Sequence, residues 1–496
     1  MEEKMNRKRY KHRKVEFFFQ RYGIAIIVVC LVVALGIALG FYFVSKKNRE
    51  ASFETEPSKV ENVNGTVADS SEQGEESQTT TDKTSENSES VLAEANTLAA
   101  MYDYDSAISL LQQQENYASN NEYQEAVSQF EASKGELVQW KDNTKITHVF
   151  FHTLIVDAKK AFSSNKSAQY NEVMTTVDEF NKMMQSMYDK GYVLVSLKDI
   201  AKMEIQADGT EKMTMQPIML PEGKIPFVLS VDDVSYYEYM DGHGFASRLV
   251  IGEDGKVTNE MDMEDGTVQT GSFDVVPILE DFIEEHPDFS YKGAKGILAL
   301  TGYNGVFGYR TSDFWYNDNC DYYINNEHNN KEKQEYTTPN LNIEEDKVKA
   351  KQVADALREQ GWELASHSWG HRDLGQISYE EFQWDTDMWE REVRPILGDV
   401  DIIIFPKGAD IGSWKPYEET NERYQYLKSK GFDYFCNVDS SQYWVQIGDG
   451  FFRQGRRNLD GTRLWEAING GTDRLSDLFN AKEVIDPLRP NPLESQ

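Results

Sequence analysis

The sequence predicts an α/β fold, a parallel (β/α) barrel or a doubly wound sheet, preceded by one transmembrane helix and a small helical module. Three observations predict it. From residue 146 onward short apolar runs alternate with amphipathic helical stretches, the rhythm of parallel α/β folds. Residues 24–44 form a run of 21 positions without a charge. Between these two parts the composition turns polar and then helical in period. At 496 residues the chain is too long for one ordinary domain. Its 51 Lys and Arg against 84 Asp and Glu leave a net charge of −33. Such a surface repels phosphate backbones, which excludes nucleic-acid binding as the main activity. Three cysteines, Cys30, Cys320 and Cys436, exclude a disulfide-stapled scaffold and an all-cysteine zinc cluster.

The run IAIIVVCLVVALGIALGFYFV over 24–44 has the length a bilayer core demands of a helix. Residues 1–23 carry eight Lys and Arg and net +5, leaving −38 for the remainder. The positive-inside bias therefore places the N-terminus in the cytoplasm and everything beyond residue 45 outside the cell membrane. A cleaved signal peptide is the competing reading. The run is longer than a usual signal core, and Phe41-Tyr42-Phe43 makes a poor cleavage site.

Residues 45–90 contain no Leu, Ile, Trp or Tyr and are expected to form a disordered extracellular linker. As a coil this linker would span roughly 35–40 Å. From 91 to 143 apolar residues return at three- and four-residue spacings: Leu92, Ala95 and Ala99, then Ala107, Ile108 and Leu111, then Tyr123, Ala126, Val127 and Phe130. Asp103 and Asp105 offer an N-cap between the first two segments. The string YDYDSAISLLQ faintly resembles half a tetratricopeptide unit, too little for a solenoid. This is a helical spacer or a module for a protein partner.

The region 144–480 holds the alternation. Strands are expected at 146–151, 192–197, 226–231, 296–302, 362–368, 401–406 and 432–438, and helices at 171–191, 276–286, 346–361 and 422–431. Residues 235–275 read as an insertion containing the hairpin-like RLVIGEDGKVTNEM, and 481–496 as a C-terminal tail. In such folds chemistry sits at the C-terminal ends of the strands. Those ends deliver His152, the pair Asp232-Asp233, and His367 with His371 four residues on. Two imidazoles one helical turn apart can face one ion; two loop histidines bonded to backbone are the alternative. Adjacent carboxylates at the end of a buried strand are costly unless one meets a cation; an Asx-turn or N-cap pair is the alternative. One Asp with two His matches the three-ligand layout of catalytic zinc, leaving the second Asp to take a proton from water.

The order of these segments resembles the NodB-type polysaccharide deacetylases, most closely the circularly permuted branch that includes the poly-N-acetylglucosamine deacetylases. Phe151-His152 stands for that branch's Tyr-His strand end, and Gly191 to Leu197 for its G-Y-x-x-x-S-L strand. Ser230 to Val234 stands for T-F-D-D-G, His367 to His371 for H-S/T-x-x-H, and Phe405 to Gly408 for F/Y-P-x-G. The resemblance covers about 146–440 and implies a distorted parallel (β/α) barrel of the polysaccharide-deacetylase type. It implies Asp232 as general base, Asp233, His367 and His371 as ligands of a divalent metal, zinc first, and His152 as general acid, with His148 the weaker candidate. Departures are Val234 in place of glycine, the absent arginine of the unpermuted family's R-P-P-Y-G, and Lys407 where an aromatic is common.

The expected function is a membrane-anchored extracellular deacetylase acting on N-acetylated amino sugars of a cell-wall polysaccharide or exopolysaccharide. Backbone N–H groups of residues 406–409 are expected to stabilise the oxyanion, and Trp315 and Tyr316 either to stack on sugar or to pack in the core. The alternative is an inactive, deacetylase-like glycan-binding or scaffold protein. An esterase acting on O-acetyl groups is a third reading.

Overall fold

The computed structural model describes residues 76–316, 341–439 and 441–493, with side chains from Ser88 onward. The expected cytoplasmic tail (1–23), the expected membrane helix (24–44) and most of the expected linker lie outside the described residues. Among the described residues no helix is long and apolar enough to cross a membrane.

Seven parallel strands close into a barrel: β1 (Thr147–Phe151), β3 (Ile225–Val231), β4 (Ile297–Leu300), β5 (Glu363–Ser366), β6 (Ile402–Ile404), β7 (Tyr434–Val438) and β9 (Phe452–Asn458). Around the barrel they run β3-β4-β5-β6-β7-β9-β1 and back to β3. Strand β2 (Tyr192–Leu194) pairs with the first residues of β3, and β8 (Val445–Ile447) runs antiparallel to β9. The closure decides for the barrel over the doubly wound sheet.

Alternation along each strand fixes what faces inward. Val228, Ile297, Ala299, Ala365, Ile402, Ile404, Tyr434, Cys436 and Phe452 form one buried cluster. Their neighbours Leu229, Leu298, Leu300, Leu364, Ile403 and Phe435 belong to a second, shared with the surrounding helices. On three strands the inward face turns polar toward the C-terminal end: Val228 is followed by Ser230 and Asp232, Ala365 by His367, and Phe452 by Gln454 and Arg456. The apolar end of the barrel interior supplies the core and the other end supplies the chemistry.

Outside the barrel, helices follow the apolar periodicity closely, at Val275–Glu285, Ile343–Glu359 and Glu422–Ser429. The expected helix 171–191 is two, Ser167–Val173 and Val177–Asp189. The break falls where Thr176 and Glu179 form a reciprocal capping box, which starts a new helix rather than continuing the old one. The insertion after residue 235 forms three antiparallel strands, 248–251, 257–262 and 268–271. Its Leu249 and Val257 pack into the same core as the helices.

The helical module comprises Glu76–Ala100, Tyr104–Gln112 and Asn121–Gly135. It has its own core of Ala95, Ala99, Ala107, Leu111, Tyr123, Ala126, Val127 and Phe130. The second helix is capped by Asp103, which accepts from the Ser106 N–H. The first helix begins within the stretch expected to be linker: residues 76–90 continue the turn set by 91–100, and Ser88 is held by Tyr123, whose hydroxyl donates to its carbonyl. The expected C-terminal tail is likewise tied down. Arg489 and Glu179 form a fully buried ion pair, and the Arg489 guanidinium also donates to the Asn171 and Met174 carbonyls.

Candidate active site

Strand register brings the site together. Phe151 lies opposite Val231, Leu300 opposite Ser366, and Asn458 opposite Phe150. The residues just beyond these ends, His152, Asp232, Thr301, His367 and Asp460, therefore emerge at one level of the barrel mouth. The Asp232 N–H still donates to Phe151 O at 2.8 Å, and the His367 N–H to Leu300 O at 3.0 Å. Beyond Asp232 the chain turns sharply, with Asp233 in the left-handed region at φ 59°. The two carboxylates thus converge on the mouth. Ser368 and His371 also have positive φ, at 58° and 49°. Non-glycine residues in this region carry strain that the surrounding structure must hold.

Asp233, His367 and His371 each offer one ligand atom, and these atoms lie within 4.8 Å of one another. His371 Nε2 is 3.7 Å and His367 Nε2 is 3.9 Å from the Asp233 carboxylate. Each part of the set is held from behind. His367 Nδ1 donates to the Ile404 carbonyl at 2.8 Å, which leaves its Nε2 lone pair facing the carboxylates. The Tyr237 hydroxyl donates to Asp233 Oδ1 at 2.6 Å and lies 2.8 Å from Thr301 Oγ1. The loop between the histidines is pinned by Asp385, which accepts from the Trp369 and Gly370 N–H groups at 2.9 and 2.8 Å. Burial pushes the His371 imidazole down to about 4 against the attraction of Asp233, so at neutral pH it is uncharged. Two imidazoles and a carboxylate with hydrogen-bonded supports fit zinc or another first-row divalent ion.

Asp232 belongs to a different network. Arg456, fully buried, grips it bidentately at 2.6 and 2.9 Å and also donates to Ser230 Oγ at 3.1 Å. Ser230 Oγ is 2.9 Å from His148 Nε2, and His148 Nδ1 is 3.1 Å from Gln454 Oε1. Gln454 Nε2 donates to the Ile146 carbonyl, so its oxygen is free to accept from His148 Nδ1–H. Burial works to raise the Asp232 carboxyl, but Arg456 and His367 overcome it and hold the group well below the usual carboxylate range. His148 is kept uncharged by burial and by Arg456. It lies inside the barrel beneath the aspartate, a structural member of the network and not a group at the mouth.

His152 is half-buried, and its Nδ1 donates to the Val173 carbonyl at 3.0 Å. Its Nε2 is thereby the nitrogen available for proton transfer. It interacts electrostatically with Asp232, Asp233 and Asp460. The structure thus brings together all five residues singled out in the sequence. It adds Arg456, Tyr237 and Asp460, which no pattern marked. The one signal for Arg456 was the polar strand FRQGRRN, with three arginines next to apolar neighbours.

Other expectations change. Pro406 has no N–H, and the Gly408 and Ala409 N–H groups donate within the turn to the Phe405 and Pro406 carbonyls; of the expected 406–409 set, only the Lys407 N–H makes no backbone hydrogen bond among the described residues. Lys407, exposed and at φ 57°, also contributes a positive charge that acts on His371. Trp315 is buried in the core, and Tyr316 packs against the same cluster; neither is a sugar platform. Val234, which stands where the resemblance expects glycine, is buried in the core. Cys436 is a buried free thiol inside the barrel, while Cys320 lies outside the described residues.

The polysaccharide deacetylase family model matches residues 323–433, a span of under a quarter of the chain that contains both histidines of the metal-ligand set. Over that span the chain is similar to the polysaccharide deacetylases. Two solved structures are similar. The Streptococcus pyogenes deacetylase PplD, in complex with acetate, shares 13% identity over 66% of this chain and 95% of that one, at TM-score 0.33. BA0330 of Bacillus anthracis, a candidate polysaccharide deacetylase, shares 11% over 69% and 70%, at TM-score 0.32. No curated protein matches the chain.

Proposed function

We propose that this chain is a membrane-anchored extracellular deacetylase. It removes N-acetyl groups from an amino sugar of a cell-wall polysaccharide or exopolysaccharide, with a divalent metal, zinc first, held by Asp233, His367 and His371. The observation that carries this reading is the meeting, at one barrel mouth, of a three-donor set with an ionised Asp232 and a half-buried His152. A bound divalent ion would supply a more acidic water and a polarised acetamide carbonyl. The chain's own residues do the rest. Asp232, ionised at any physiological pH, takes the proton from the attacking water. Arg456 fixes its orientation and keeps it ionised in the resting site. His152, oriented through Nδ1 by Val173, donates from Nε2 to the departing sugar nitrogen, so that acetate and a free amine result. Lys407, beside His371, is the cation placed to favour negative charge developing at the mouth.

The test is acetate release from an N-acetylglucosamine oligomer by the full-length chain in detergent, with added zinc and with chelator. Release should need the metal. Asp232→Asn should abolish it while metal still binds, and His152→Ala should lower turnover by about two to four orders of magnitude, the usual contribution of a general acid. Metal bound with no release from N- or O-acetylated glycans would favour the glycan-binding alternative.

A further inference from the structure

Beside the mouth, outside the set of residues just described, lies a second concave feature. A cavity of about 580 Å³ is formed by the helix Gly461–Ile468, the helix Ser167–Val173 and the chain end at Pro490–Pro492. We propose that this cavity is a secondary sugar-binding subsite. It would hold a unit of the same glycan chain away from the unit being deacetylated. The inference rests on the deacetylase reading for the identity of the polymer.

The lining has the chemistry that recognises a pyranose. Trp465 and Pro490 give flat apolar surface, and Asn171, Glu172, Thr462 and Asn469 give polar groups around it. Sugars present apolar faces ringed by hydroxyls, and sites for such ligands combine an apolar floor with a few placed polar groups. The Trp465 indole N–H is buried and makes no hydrogen bond among the described residues. With that N–H turned away from solvent, what Trp465 gives the cavity is apolar ring surface.

The cavity is also built, not incidental. A Cβ at Gly461 would collide with the Asn171 carbonyl oxygen and the Arg489 guanidinium; only glycine lets the two helices approach this closely. The Arg489–Glu179 ion pair, wholly buried, holds the chain end so that Pro490 reaches the cavity. Two links place the cavity near the mouth. Glu172 precedes Val173, the residue that holds His152. Gly461 follows Asp460, which interacts with His152. One residue step is about 3.8 Å, so the edge of the cavity lies close to the residues around His152.

The test is calorimetric binding of N-acetylglucosamine hexamer and dimer to the full-length chain, with chelator present so that nothing turns over. The wild type should bind the hexamer more tightly than the dimer. Trp465→Ala should weaken the hexamer by at least about tenfold with dimer affinity unchanged, and Trp465→Phe should restore most of it. Glu172→Gln, an exposed change that leaves the fold alone, should weaken the hexamer in the same selective way. Hexamer affinity equal to that of the dimer in the wild type, or unchanged in both Trp465→Ala and Glu172→Gln, overturns the subsite. Acetate release with metal restored is read separately. If it is absent while selective hexamer binding persists, the deacetylase reading fails and the subsite stands.

Discussion

Tyr237 shows how much of this site depends on single side chains that no motif marks. Its hydroxyl reaches Asp233 at 2.6 Å and Thr301 at 2.8 Å, and Thr301 is in turn 2.9 Å from Ser235. Its ring is clamped between Tyr239 and Tyr303, with centroids at 5.5 and 5.1 Å. Phenylalanine keeps that clamp and removes only the hydrogen bond that orients the carboxylate. Tyr237→Phe is therefore expected to lower zinc affinity by about 10–100-fold, the usual effect of losing such a support. Competition with a metal-chelating dye measures this directly, and an unchanged affinity would show that Asp233 is oriented by its backbone alone. The five residues singled out in the sequence were legible because each follows a recognisable apolar strand. Tyr237 was not: in VSYYEYM three tyrosines look alike, and only the fold distinguishes the one aimed at Asp233.

At the scale of elements, strands buried on apolar faces were legible and the strand that completes the site was not. Strand β9 carries Arg453, Gln454, Arg456 and Arg457, so it shows neither an apolar run nor an apolar alternation. Its polarity has a cause on each face. Inward, Gln454 and Arg456 serve the Asp232 network; outward, Arg453 pairs with Asp410 and Arg457 with Asp477. The helix Tyr379–Glu392 escaped notice for a related reason: it buries Asp385 and Glu392 as well as Phe382 and Trp389, because those acids support the histidine loop and the core tryptophan. At the opposite end of the barrel, the first residue of β5 makes a testable exception to the apolar interior. Glu363 is pushed up to about 7 by burial, aided by Asp401 and Asp199 and opposed by Lys198. Its unfolded value is near 4.5, so between these values the folded state holds a proton that the unfolded chain releases. The penalty is absent below pH 4.5, grows as pH rises through 7, and is complete above it. At 1.36 kcal/mol per unit it amounts to about 3 kcal/mol. Glu363→Gln should therefore raise the unfolding temperature at pH 8 and leave it unchanged near pH 4.5, a difference that thermal melts at the two pH values would read. Equal shifts at both would assign the effect to packing.

For the whole molecule, the placement of the helical module sets the orientation of the chemistry. The Lys292 N–H donates to Met101 O at 2.7 Å, the Tyr102 hydroxyl donates to Asp288 O at 2.9 Å, and Tyr102 stacks on Tyr291. Residues 288–292 lead into the start of β4, so the module sits at the end of the barrel away from the mouth. The module's contacts with residues 288–292 thus lie at the end of the barrel away from the described site residues. The proposed anchor gives this arrangement a purpose, since an acidic body netting −38 beyond a basic +5 segment has no attraction of its own for an anionic membrane surface. Expressed in bacterial cells, the full-length chain is expected to pellet with membranes, to resist extraction by alkaline carbonate and to dissolve in detergent, because a spanning helix and not surface charge retains it. Protease added to wall-stripped cells should destroy the barrel while sparing an epitope placed at residue 2, as the positive-inside bias requires. A chain released into the medium and lacking residues 1–44 would instead identify the apolar run as a cleaved signal peptide, and protection of the barrel in intact cells would reverse the topology.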